Sequence, residues 1–188
     1  MKKRRLNEAL QIDYRLRSTF FYRKLHDLGF RGFAEEIEKL ISISDNFNWK
    51  DRYKWGISKI AWHILEQSAI LPLALFAHPR VLQEQPKLSA YYRNVAVLPQ
   101  KAVNKLAFTI PDVEKGKSKL SAEKALILCQ LYNSHSSLIV ESATEYTQKD
   151  IDALMCASAG AQINGSWLNR IGEEAELVTR KIISFQRF

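Results

Sequence analysis

Three stretches of this sequence hold residue types that could do chemistry, and their spacing decides what each can do. The first is Ile110-Pro111-Asp112-Val113-Glu114-Lys115-Gly116-Lys117. An acid after a proline, followed later by acid-x-Lys, can hold a divalent cation and steer a hydrolytic water. Here Asp112 and Glu114 stand two residues apart and no acid-x-Lys follows on a strand, so the stretch reads as a polar, solvated loop. The second, Gly116-Lys117-Ser118, matches the end of a phosphate-cradling loop. That loop needs a glycine at position 111, which is Pro111. The third is the set of four histidines, His26, His63, His78 and His135. None lies at metal-ligand spacing from a cysteine or another histidine. Ser134 and Ser136 flank His135, but sequence neighbours on a helix point apart, so they form no nucleophile–base pair.

The basic residues say more. The 188 residues carry a net charge of +8, a balance that favours a polyanionic partner. Residues 1–31 hold nine Lys or Arg against three acids, most of that excess. On a helix at 100° per residue, Arg4 and Arg15 lie opposite the apolar stripe, with Arg5 and Arg23 beside them. Arg17 and Lys24 border the stripe, and Tyr22 and His26 interleave. Such a face could follow a phosphate backbone, or could simply be a solvated surface. Tyr91, Tyr92, Arg93, Lys101 and Lys105 form a second basic-aromatic cluster.

The elements that must position these groups are helical. Leu6, Leu10, Tyr14, Phe21, Leu25 and Leu28 recur at helical steps, and Gly29 and Gly32 end the run. Phe33, Ile37, Leu40 and Ile41 make a second, shorter helix. Tyr53, Ile57, Ile60, Ile64 and Leu71 read as the stripe of a third. Pro72, Pro79, Pro86 and Pro99 then punctuate short helices, since proline suits a first turn and breaks an interior. Ser121 is placed to cap a long helix, and Thr147 with Asp150 resembles a capping box. Asn164-Gly165 reads as a turn and Ser166 as the cap of a last helix striped by Trp167, Ile171, Ala175, Val178, Ile182 and Phe185. The fold class is all-α, a bundle of seven or eight helices with no strand. Cys129 and Cys156 read as reduced core thiols of a cytoplasmic protein. No apolar run is long enough to cross a membrane.

Asn169, Gly172 and Glu176 form N-x-x-G-x-x-x-E at the start of that last helix. This resembles the first helix of the nuclease core in many type II restriction endonucleases. Upstream, "YYRNVAVLPQKAVNKL" and "EKALILCQLYNSHSSLIVES" resemble the helical regions that precede such cores. The resemblance implies a close-packing role for Gly172 and a catalytic carboxylate, Glu176, near a magnesium site, with Glu173 and Glu174 as weaker candidates. It implies double-stranded DNA as partner, and a second subunit or homodimer.

The family's strand with its acid and its later (D/E)-x-K would follow this helix, and the sequence stops at Phe188. The expectation is therefore a helical DNA-binding domain over 1–163 and, over 164–188, a helix that opens a nuclease core completed elsewhere. The chain alone would then need no magnesium and would not cleave. A helical protein-interaction module with no nucleic-acid role is the alternative. A helical ribonuclease comes third: neither Arg17 and Arg23 with His26 nor Arg52 with His63 has the spacing of four to six residues that some such enzymes use.

Overall fold

The computed structural model describes the backbone of residues 2–27, 30–42, 47–104 and 109–185. Side chains are described for 15–27, 32–33, 35–42, 47–104, 109–177 and 180. Among the described residues there are ten α-helices, one 3-10 turn and no strand. The all-α expectation holds, and the helix count is slightly higher than expected. Among the described residues, no helix is long and apolar enough to cross a membrane. The chain divides into two compact units: Phe30–Ser158, and Met1–Gly29 together with Ala159–Phe188.

The larger unit is built on α9, Ala122–Ser142. The Ser121 hydroxyl caps it as expected, accepting from the Lys124 amide at 3.3 Å. Its inner face, with Leu128, Cys129 and Tyr132 fully buried, receives α3 (Lys59–Glu66), α5 (Pro79–Glu84) and α6 (Ser89–Val95). Asn133 stands in this apolar face because it is fully paired. Its Oδ1 accepts from the Ala77 amide at 2.7 Å, and its Nδ2 donates to the Ala77 and Trp55 carbonyls, each at 2.9 Å. One side chain thus satisfies the backbone where α4 (Pro72–Leu75) leads into α5.

Proline starts these short helices as expected: Pro72, Pro79 and Pro86 occupy first-turn positions. Pro99 caps α7, Gln100–Val103. The stripe expected over residues 53–71 is out of phase. Ile60 is 63% exposed and Leu71 50%, whereas Ala61, Trp62 and Leu65 are buried. The cause is Gly56, which turns the chain at φ +86° against α9 and restarts the helix at the Ser58 cap. The charged stretch at 110–119 is not wholly a loop either: Ile110–Glu114 forms α8.

α10, Gln148–Phe185, opens on the expected box, the Asp150 carboxylate accepting from both the amide and the hydroxyl of Thr147 at 2.7 Å. It then runs without interruption through Asn164 and Gly165, so the expected turn is absent. Ser166 does not cap; its hydroxyl donates to the Gln162 carbonyl at 3.0 Å, one turn back inside the helix. A glycine in a helix interior costs only about 1 kcal/mol, which burial of Ile163 and Trp167 on either side offsets.

The smaller unit pairs α1, Lys2–Asp27, with the later part of α10. Arg17 Nη2 donates to Asn164 Oδ1 at 3.3 Å, and the Phe20 and Trp167 rings lie 5.2 Å apart. Both sets of partners advance by three residues, so the two helices run in the same direction. Leu6, Leu10, Tyr14 and Leu28 of the expected α1 stripe, and Val178, Ile182 and Phe185 of the last one, have side chains outside the described residues.

Candidate nucleic-acid interface

Of the cations expected on α1, Arg15, Arg17 and Arg23 are exposed and Lys24 is half-buried. Lys24 pairs with Asp27 at 3.5 Å and stands 6.0 Å from the centre of the Phe20 ring. The Arg17 guanidinium lies 5.3 Å from the Phe21 ring. Arg4 and Arg5 have side chains outside the described residues, and Lys105 lies outside them altogether. Within the smaller unit, a groove of about 170 Å³ is lined by Phe20 and Trp167 together with Arg23, Arg170 and Glu174. Arg170, a cation the sequence reading passed over, faces Phe20 at 5.8 Å and donates to Glu174 at 3.0 Å. Aromatic rings beneath guanidinium groups suit a phosphate-bearing partner, because the ring holds the cation in place while its N–H edge stays free.

The second basic-aromatic cluster does not form a surface. All seven residues of α6 are buried. Tyr91 donates to the Ala74 carbonyl at 2.7 Å and Tyr92 to the Leu73 carbonyl at 3.0 Å, and burial pushes both hydroxyl pKa values up. Arg93 is 2% exposed. Its Nε and Nη2 donate to the two carboxylate oxygens of Glu114, and its Nη1 donates to the Leu98 carbonyl at 2.9 Å. Gln100 Nε2 completes the set at 2.7 Å from Glu114 Oε2. Arg93 is therefore a buried cation paired within the fold, and Glu114 is not the solvated acid its loop-like sequence suggested. Lys101 remains exposed.

The histidines take structural roles. His78, 8% exposed, accepts from the Arg80 amide through Nδ1 and is ringed by Phe47, Trp49 and Trp55; burial lowers its pKa. His63 meets Gln67 and His135 meets the Leu131 carbonyl. Both cysteines are free, but Cys156 is exposed and only Cys129 is a core thiol.

Glu173, Glu174 and Glu176 are exposed on α10. Glu176 Oε1 accepts from Arg180 Nη2 at 2.5 Å, one turn away. Among the described residues no three His, Cys, Asp or Glu side chains converge as a metal would require. The residues described do not fit a magnesium ion. Gly172 sits in mid-helix, where an added Cβ would meet nothing within 4 Å among the described residues, so none of these requires a glycine there. Gly172→Ala is accordingly expected to raise the stability of this chain by about 0.5–1 kcal/mol, checked by denaturant unfolding; a loss would point to close packing within the chain.

Residues 63–185 match the family described as XcyI restriction endonuclease, and the chain belongs to that family. No curated protein and no solved structure matches the chain. The matched stretch runs from α3 to the end of α10 and leaves α1 outside it.

Proposed function

We propose that the chain binds duplex DNA for a type II restriction endonuclease, through the cationic face of α1. In the whole enzyme the reaction would be magnesium-dependent phosphodiester hydrolysis at specific sites, in the cytoplasm, with a second subunit or copy completing the assembly. The observation that carries this reading is the exposure of Arg15, Arg17 and Arg23 on one helix of a family member. Lys101 is a further contact on α7, and Arg4, Arg5 and Lys105 extend the set by sequence. Glu176 is the candidate catalytic carboxylate, by resemblance alone.

Affinity for a mixed-sequence duplex should fall steeply with salt, by about 0.9 in log–log slope for each phosphate neutralised. Arg15→Ala with Arg23→Ala is expected to flatten that slope by about two, measured by fluorescence anisotropy at several salt concentrations. Glu176→Gln should leave duplex binding intact. An unchanged slope in the double variant would make the α1 face a merely solvated surface.

A protein-interaction role has one observation in its favour. Leu16, Tyr22 and Leu25 are each about half exposed or more on the same helix. A salt-insensitive chain that self-associates through Leu16 and Leu25 would favour that role.

A further inference from the structure

We propose that the turn 49–59 of the larger unit is a second surface for duplex DNA, contacting its phosphates through Lys50, Arg52, Lys54 and Lys59. The inference rests on the DNA-binding reading above but on different residues. Residues 49–59 hold four cations against one acid, while the whole of Phe30–Ser158 holds sixteen against fourteen. The turn thus carries a local charge of +3, where the unit as a whole carries +2. Lys50, Lys54 and Lys59 are exposed.

The turn is also rigid, which separates it from a string of solvated lysines. The Arg52 guanidinium lies 4.5 Å from the centres of both the Tyr53 and Trp62 rings. It donates to the Trp49 carbonyl and the Tyr53 hydroxyl, each at 3.1 Å. Trp49 is in turn wedged against Trp55, Trp62 and His78 at 5.2–5.8 Å. Gln130 of α9 donates to the Lys54 carbonyl at 3.0 Å, and Gly56 is pressed against the same residue. Cations on a braced turn lose little freedom on binding, so more of their attraction appears as affinity. The Tyr53 ring, 44% exposed, offers an aromatic face to sugar or base beside those cations. Asp51 holds Lys54 at 2.7 Å, so one carboxylate screens the surface until a phosphate replaces it.

The test uses the full chain and a 30-base-pair mixed-sequence duplex. Lys50→Ala, Lys54→Ala and Lys59→Ala together should lower the log–log salt slope by about two to three, with an unchanged melting curve. Asp51→Asn should tighten binding several-fold, an effect a purely structural turn would not show. Acetylation of Lys50, Lys54 and Lys59 should be suppressed by the duplex, with Lys124 modified as before. Equal acetylation with and without DNA, or an unchanged slope in the triple variant, would overturn the inference. If the α1 variant flattens the slope while the triple variant does not, the inference fails and the DNA-binding reading stands. If the wild-type chain shows no salt-dependent duplex binding, or binds anionic vesicles instead, both fail.

Discussion

Arg93→Ala is expected to cost about 3–5 kcal/mol, because it leaves the Glu114 carboxylate buried without its partner. A domain has only about 5–15 kcal/mol in total, so the variant should unfold at much lower denaturant or fail to accumulate. Arg93→Lys should also be poor, since an ammonium cannot span both carboxylate oxygens and the Leu98 carbonyl. Replacing both partners with methionine should cost less than removing either alone, because no buried charge is then left over. The salt slope for duplex binding should be unchanged in whatever fraction remains folded. A surface contact would behave the opposite way, with stability intact and the slope reduced. Urea unfolding together with anisotropy distinguishes the two outcomes.

Gly56→Ala should be nearly as damaging. At φ +86° an L side chain is strained by about 1–2 kcal/mol. The new Cβ would also stand 2.5 Å from the Gln130 carbonyl oxygen and 2.9 Å from its Cα, both backbone atoms of α9. Neither can swing aside as a side-chain tip would, and overpacking of this kind costs about 1–3 kcal/mol. Together these come to about 2–5 kcal/mol and should lower the melting temperature by roughly 4–20 °C at this chain length. A shift under 2 °C would mean that the turn relaxes freely, and would weaken the rigidity argued for residues 49–59.

Much of the local chemistry at helix starts was legible in the sequence, because both partners lie within one turn. Ser121 with Lys124, Thr147 with Asp150, and the prolines at helix starts all act over three or four residues. What was hidden depends on distant partners. Arg93 looked like a surface cation because Glu114 lies 21 residues away, and burial of an arginine is legible only with its acid in view. Gly56 looked like an ordinary interruption because the carbonyl that excludes a side chain there belongs to α9. Asn164-Gly165 has turn chemistry in isolation, yet the helix continues through it with Ile163 and Trp167 buried on either side. Basic-aromatic spacing at Trp49–Trp55 was available to read, but the alternation fits a strand as well as a braced turn. The α1 cations could be named from their helical phase. The groove beside them could not, since Trp167 and Arg170 come from another helix.

The pairing of α1 with α10 has a consequence for how the protein is made. Arg17 and Asn164 are 147 residues apart, and closing a flexible loop of that length costs about 4 kcal/mol in chain entropy. At about 5–20 residues per second, ribosomes need roughly 7–30 s to deliver Asn164 after Arg17. Throughout that interval α1 has no Trp167 to cover Phe20. α1 therefore leaves the ribosome well before its neighbour, and its uncovered aromatic face is the surface a chaperone would meet.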